Sequence, residues 1–111
     1  MTVTVKNIIP RKQAENTQTA QYTAADCKTI IDKFTATNNT GSNVTFAVNL
    51  VPLSGTADAT NKTLPTKTIA PGECYQCPEL VGQTLEAGGF ISTIAGTAAA
   101  LVISASGREI T

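Results

Sequence analysis

The stretch Phe34–Pro52, FTATNNTGSNVTFAVNLVP, decides the fold. In its second half, four apolar residues recur at every second position: Val44, Phe46, Val48 and Leu50. The residues that separate them are mostly polar: Asn43, Thr45, Ala47 and Asn49. This period of two predicts a β-strand with one apolar face and one mostly polar face. The preceding segment Asn38–Ser42, NNTGS, is rich in turn-forming residues, so the whole stretch predicts a β-hairpin.

Length and composition predict a single all-β domain. The chain has 111 residues, enough for one hydrophobic core. Its hydrophobic content is 41%, with three Phe, two Tyr and no Trp. Threonine is spread along the whole chain, and its branched side chain suits strands better than helices. We expect this thin core to gain part of its stability from assembly with other subunits.

Further short strands are predicted along the chain, separated by turn residues. They are Gln18–Ala24, centred on Tyr22, then Cys27–Asn38, Leu64–Ile69, Cys74–Cys77, Phe90–Ala95 and Leu101–Ser106. Together they make about seven or eight antiparallel strands at spacings of roughly ten residues, the pattern of a small β-sandwich or jelly roll. The sequence leaves the choice between a jelly-roll and an immunoglobulin-like strand order open.

Three local signals refine this pattern. Asp32 interrupts the apolar row of its strand, and a β-bulge near Ile31–Asp32 would restore the register. Pro65 places its strand at a sheet edge, because proline cannot donate a ladder hydrogen bond. Ala70–Glu73, APGE, predicts a tight turn.

Two predictions concern the C-terminal half. Pro78–Gly82, PELVG, begins with proline and ends with glycine, which predicts one helical turn. The last two strands are predicted to pair with each other through Gly96–Thr97. In the final strand three residues form the expected buried row: Leu101, Ile103 and Ala105.

The N-terminal region, residues 1–19, is predicted to be an arm outside the β-sandwich domain of residues 20–111. Val3 and Val5 alternate with polar residues and predict a short edge strand. Pro10 is expected to end the apolar pair Ile8–Ile9. A frayed terminus is the alternative interpretation.

Charge disfavours several classes of partner. The chain has eight basic and eight acidic residues, and neither sign forms a run. Nucleic-acid-binding proteins need a basic patch, and so do proteins that bind anionic membrane surfaces, so we expect neither partner. The N-terminus lacks the pattern of a signal peptide, which predicts synthesis and retention in a cytoplasm until assembly.

Residues suited to catalysis or metal binding are few. Histidine is absent, and no two carboxylates are spaced to meet within one element, so an enzyme is the least favoured class. Cys74-Tyr75-Gln76-Cys77 is a CxxC motif. A zinc site needs a second ligand pair, and only Cys27 remains. We therefore predict three reduced, mostly buried thiols, with no metal and no cofactor.

Three segments carry a resemblance to a known family: Phe34–Pro52, the stretch TIAPGECYQCPELVGQTLEAGGFIS (68–92) and the closing LVISASGREIT (101–111). With their turn-and-strand patterns, the chain resembles the capsid decoration (staple or cement) proteins of short-tailed bacteriophages of the epsilon-fifteen type. The likeness covers nearly the whole chain.

This resemblance implies a small jelly roll on the outer surface of an icosahedral virion, made in the cytoplasm of a bacterial host. The implied partner is a major capsid protein of HK97-like fold, whose neighbouring subunits are clamped non-covalently against the pressure of packed DNA. Self-association as a dimer or higher oligomer is also expected. Eight residues are the expected partner contacts: Val3, Val5, Ile8, Ile9, Arg11, Pro78, Leu80 and Val81.

Two alternatives remain open at this point. One is a neck, head-completion or tail-associated virion subunit with the same fold, which would form a small ring. The other is a carbohydrate-binding β-sandwich displayed on the particle. Such sites usually stack sugars on aromatic faces, and Tyr22 and Tyr75 are the only tyrosines in this Trp-free chain.

Overall fold

A computed structural model describes all 111 residues and contains nine β-strands. Their bounds are β1 Val3–Gln13, β2 Thr19–Thr23, β3 Lys28–Asn38, β4 Val44–Val51, β5 Lys62–Ile69, β6 Cys74–Tyr75, β7 Thr84–Leu85, β8 Phe90–Ala95 and β9 Leu101–Ile110. No helix is long and apolar enough to cross a membrane. The predicted all-β class is confirmed.

The strands form two antiparallel sheets packed face to face. Sheet A has the order β1-β9-β3-β6, with β7 also paired to β3, and sheet B has the order β2-β8-β4-β5. Strands from the first half of the chain thus pair with strands from the second half taken in reverse order. The pairs are β1 with β9, β2 with β8, β3 with β7 and β6, and β4 with β5. This nested pairing is the strand order of a jelly roll, which answers the question that the sequence left open.

The predicted hairpin in Phe34–Pro52 is wrong, although both of its strands exist. β3 belongs to sheet A and β4 to sheet B, so the turn between them crosses from one sheet to the other. The buried Asn38 side chain holds this crossover, because its Nδ2 donates to the carbonyl oxygens of Ser42 (2.8 Å) and Ile69 (2.9 Å). The predicted pairing of the last two strands is wrong for the same reason, since β8 lies in sheet B and β9 in sheet A.

The core lies between the two sheets and is built mainly from aliphatic side chains. The largest fully buried residues are Phe34, Phe46, Ile9, Ile31, Leu64, Ile69, Leu80, Ile91, Leu101, Ile103, Val48 and Val51. The predicted buried row in β9 is confirmed, with Leu101 and Ile103 at 0% exposure and Ala105 at 2%. Burial of this apolar surface is the main stabilising contribution to the fold.

Three local predictions are confirmed. The register between β3 and β9 shifts between Ile31 and Lys33, so Asp32 is the extra, bulged residue. β5, which contains Pro65, is one of the two edge strands of sheet B. The turn Ala70–Glu73 closes with a hydrogen bond from the Glu73 amide to the Ala70 carbonyl (3.0 Å).

The N-terminal edge strand is longer than the sequence predicted. β1 continues through Pro10 to Gln13, and Ile8 and Ile9 lie in the core at 4% and 1% exposure. Pro10 is tolerated because it lies at a register shift, between Ile9 and Lys12, on a strand with one open edge. Residues 3–13 are therefore part of the sandwich and contribute to its core.

The polar face predicted for β4 is not fully exposed. Asn49 is only 1% exposed because the loop that follows β4 folds back over it. Its Nδ2 donates to the Asp58 carbonyl oxygen (2.9 Å) and to Asn61 Oδ1 (2.7 Å). Asn49 thus holds the β4–β5 loop against sheet B.

The segment Pro78–Gly82 forms hydrogen-bonded turns and not the predicted helical turn. The Leu80 amide donates to the Cys77 carbonyl (3.0 Å), and the Gly82 amide donates to the Ile31 carbonyl (2.7 Å). The segment separates β6 from β7, which lie one after the other along the same edge of β3.

Candidate docking surface

The eight residues expected to contact a partner divide into two groups. Ile8, Ile9 and Leu80 are at most 4% exposed, so they belong to the core and cannot contact a partner without unfolding. Leu80 is part of the protein's own core cluster. The others reach solvent: Val3, Val5, Arg11, Pro78 and Val81.

The outer face of sheet A carries an apolar strip at one end. The register places Val3 directly opposite Ile110, and it places both Val5 and Ile30 opposite Arg108. Residues directly opposite each other share a face, so these side chains lie on one surface. Val5 is 79% exposed and Val3 is 49% exposed, whereas Ile30 and Ile110 are half-buried. We call Val3, Val5, Ile30 and Ile110 the apolar strip.

The apolar strip borders an open sheet edge. Thr2 and Thr111 exchange two backbone hydrogen bonds of 2.9 Å, so they are a hydrogen-bonded pair at the start of the ladder between β1 and β9. In an antiparallel ladder every second residue bonds the neighbouring strand, so the N–H and C=O groups of Val3 and Val5 point away from β9. The same two residues thus present exposed apolar side chains and unpaired backbone groups. Together these features suit the addition of a further strand.

An ion pair interrupts the apolar strip, because Arg108 of β9 lies between Val5 of β1 and Ile30 of β3. Arg108 binds Asp32 through two nitrogens, with Nε 3.0 Å from Oδ2 and Nη2 2.9 Å from Oδ1. These hydrogen bonds, and the charge of Asp32, raise the pKa of Arg108 above its ordinary value. The pair is exposed and contributes little to stability, but it holds the Arg108 side chain toward Asp32.

A polar network links the two sheets behind the apolar strip. Tyr22 of β2 donates a hydrogen bond to Glu109 of β9, and the Tyr22 oxygen lies 2.7 Å from Thr29 Oγ1. Lys6 adds an ion pair to Glu109 at 3.3 Å. Burial, followed by the bond to Glu109, raises the pKa of Tyr22, while the bond from Tyr22 lowers the pKa of Glu109. The strip therefore rests on strands that are tied to the opposite sheet.

The three cysteines differ in exposure. Cys27 and Cys77 are buried and Cys74 is exposed, which agrees with the prediction of mostly buried thiols. Burial raises the pKa of Cys77 to about 12, so its thiol is protonated at neutral pH and is a poor nucleophile. No group of three metal-ligating side chains comes together.

Sequence reasoning missed two residues of the apolar strip, Ile30 and Ile110. For Ile30 the signal was present: Ile30 and Phe34 are four residues apart, and the extra residue at Asp32 puts them on opposite faces of the sheet. For Ile110 no local signal exists, because its exposure depends on the pairing of β9 with β1.

Comparison with protein-family models, with curated proteins and with solved structures finds no match to this chain. The geometry of sheet A and the sequence resemblance are therefore the two supports for a functional proposal.

Proposed function

We propose that this chain is a virion structural protein that decorates the outside of an icosahedral phage capsid and staples neighbouring major capsid subunits non-covalently against internal DNA pressure. The observation that carries the proposal is the apolar strip beside the open edge of β1. Val3 and Val5 combine exposed apolar side chains with unpaired backbone groups, a combination suited to binding another protein. The jelly-roll order agrees with the fold that the resemblance implies.

The shape of the molecule suits a clamp. Its principal extents are 46 × 26 × 19 Å, so each copy is elongated along one axis. The apolar strip of one copy contains only four side chains, and burying one valine contributes about 1.5 kcal/mol or somewhat more. Many copies around a shell add such contributions through multivalency. The partner in this proposal is a major capsid protein of HK97-like fold, with self-association as a dimer or higher oligomer on the shell.

The decisive experiment measures the number of copies per virion against the major capsid protein by quantitative mass spectrometry. We expect about one copy per capsid subunit or a simple fraction of it, as full decoration requires. A ring-sized number would assign the chain to the neck or tail instead. Absence from the particle would overturn the proposal.

A matched pair of variants tests the surface itself. Val3→Ser together with Val5→Ser removes the exposed apolar side chains of β1, and we expect weaker binding to undecorated shells in a co-sedimentation assay. Leu53→Ser is the control, because Leu53 is also apolar and 68% exposed but lies in the β4–β5 loop. Equal binding by the double variant and the control would contradict a role for the strip.

The carbohydrate-binding alternative gains no support from the aromatic residues. Phe34 and Phe46 are fully buried, and the other three, Tyr22, Tyr75 and Phe90, are half-buried. The hydroxyl of Tyr22 is bound to Glu109, and that of Tyr75 donates to Glu79 at 2.7 Å. A sugar-stacking site needs an open aromatic face, so we retain the capsid proposal.

A further inference from the structure

A groove lies on the outer face of sheet A, at the opposite end from the apolar strip. Its volume is about 270 Å³, and it crosses β1, β9 and β3. Most of its lining is polar or basic: Arg11, Lys33, Thr35, Thr37, Ser104 and Ser106. We call this the basic groove.

The two cations of the basic groove have no acidic partner. The ion pairs of the protein join Lys6 to Glu109, Lys12 to Glu15, Lys28 to Glu86 and Arg108 to Asp32. Arg11 and Lys33 are in none of them, although the chain as a whole has a net charge of zero. The nearby carboxylate, Asp32, is already held by two nitrogens of Arg108. The groove is therefore a local excess of positive charge.

Hydroxyl groups lie between the two cations. The register places Thr35 opposite Ser104 and Lys33 opposite Ser106, all on the outer face. Arg11 is on β1 at the level of Ser104, and Lys33 is on β3 opposite Ser106, with β9 between them. Two strand spacings across and two residues along the sheet put their backbones roughly 12 Å apart. This arrangement offers two charged donors with neutral donors between them, which suits two carboxylates of one extended segment.

We propose that the basic groove binds an acidic segment of the capsid protein, with carboxylates at Arg11 and Lys33, while the apolar strip binds a neighbouring apolar part of the same partner. This inference rests on the proposed function and specifies the chemistry of the partner. A protein is favoured over a small anion because the groove is shallow and shares its face with the strip. A nucleic acid is disfavoured because two cations release few counterions.

The test uses the double variant Arg11→Gln with Lys33→Gln, both at exposed positions. The matched control is Lys62→Gln with Lys67→Gln, which removes the same charge from β5, an edge strand of sheet B. Binding to undecorated shells of the major capsid protein is measured at low and at high ionic strength. We expect the groove variant to bind about tenfold more weakly at low salt and to lose most of its salt dependence, while the control binds like the wild type.

A second measurement separates this inference from the proposed function. An extended peptide with two glutamates is titrated into the isotope-labelled protein, and the amide signals of Thr35 and Ser104 are followed by NMR. Shifts in the wild type that vanish in the groove variant support the inference. Shell binding that is unchanged in the groove variant overturns it and leaves the proposed function standing.

Two other outcomes are informative. If the wild type does not bind shells, the proposed function fails, and the absence of peptide shifts would then overturn the groove as a carboxylate site as well. Tighter binding of a heparin oligosaccharide than of the peptide would overturn the choice of an acidic protein segment as the ligand.

Discussion

Phe34 and Phe46 meet ring to ring in the core, with centroids 6.2 Å apart and planes inclined at 40°. Both are fully buried, and they lie on either side of the turn Asn38–Ser42. Phe34 belongs to sheet A and Phe46 to sheet B. The turn therefore folds the chain over the core, and the two rings form part of the contact that holds the sheets together.

A double-mutant cycle tests this contact. We expect Phe34→Leu and Phe46→Leu each to lower the free energy of unfolding by about 1–3 kcal/mol. The double variant should lose less than the sum, by about 0.5–1.5 kcal/mol, because the ring–ring contact is counted in both single variants. Urea denaturation of the four proteins measures these values. Strict additivity would show that the rings are not energetically coupled.

Asn49 should be more important to stability than its position in a polar row suggests. Asn49→Ala removes the two hydrogen bonds that hold the β4–β5 loop, and we expect a loss of about 1–3 kcal/mol in thermal or chemical denaturation. Thr68→Ala is the control, an exposed position on neighbouring β5, and it should change stability by less than about 0.5 kcal/mol. Equal effects of the two substitutions would mean that the loop is not held by Asn49.

Stability should fall in acid partly through Glu109. The bond from Tyr22 lowers the pKa of Glu109 below its ordinary value of 4.5. A carboxyl group whose pKa is lowered by folding stabilises the protein above the unfolded-state pKa, and this contribution is lost as the pH falls through the folded-state pKa. We therefore expect Tyr22→Phe to lose less stability than the wild type when the pH is lowered below 4.5.

The control for this pH dependence is Glu109→Gln, which cannot ionise at that position. In denaturation curves measured at several pH values it should be at least as insensitive to acid as Tyr22→Phe, because Lys6 still lowers the pKa of Glu109 in Tyr22→Phe. Other carboxyl groups with lowered pKa values, those of Glu15, Asp58 and Glu79, remain in all three proteins, so the difference isolates Glu109. An acid limb that is identical in all three would refute the linkage.

Ile8 and Val5 should respond in opposite ways to the same substitution. Ile8 is 4% exposed, and Ile8→Asp buries a charge in the core, so we expect loss of folding or a destabilisation of several kcal/mol. Val5 is 79% exposed, and Val5→Asp should change stability by less than about 0.5 kcal/mol. Circular dichroism and thermal melting check both. A stable Ile8→Asp variant would contradict the burial of β1.

This contrast also decides which variants are useful for studying docking. A loss of capsid binding by Ile8→Asp would report unfolding, whereas a loss by the folded Val5→Asp variant would report the surface. The same reasoning excludes Leu80 as a docking probe, because it is fully buried.

Features set by neighbouring residues were predictable from the sequence alone. The bulge at Asp32 follows from one polar residue in an apolar row, and the edge position of β5 follows from Pro65. The turn at Ala70–Glu73 and the buried row of β9 were equally local. Each depends on backbone preferences or on the two-residue period of a strand, which extend over a few positions.

The candidate site was predictable only in part. Val3, Val5 and Arg11 lie on the outer face of sheet A. The sequence predicts the same surface for Ile8 and Ile9, but both lie in the core. Apolar side chains in a sequence indicate positions that are buried in the functional protein. They do not indicate whether the protein's own core or a partner buries them.

The tertiary structure alone decided which strands are neighbours. The period of two in β3 and β4 shows which side chains share a face, yet it is the same for two strands in a hairpin and for two strands facing each other across a core. The choice depends on burying the apolar faces of both sheets at once, which pairs β1 with β9 across nearly the whole chain. Such long-range pairing is a property of the whole chain, because no short segment contains both partners.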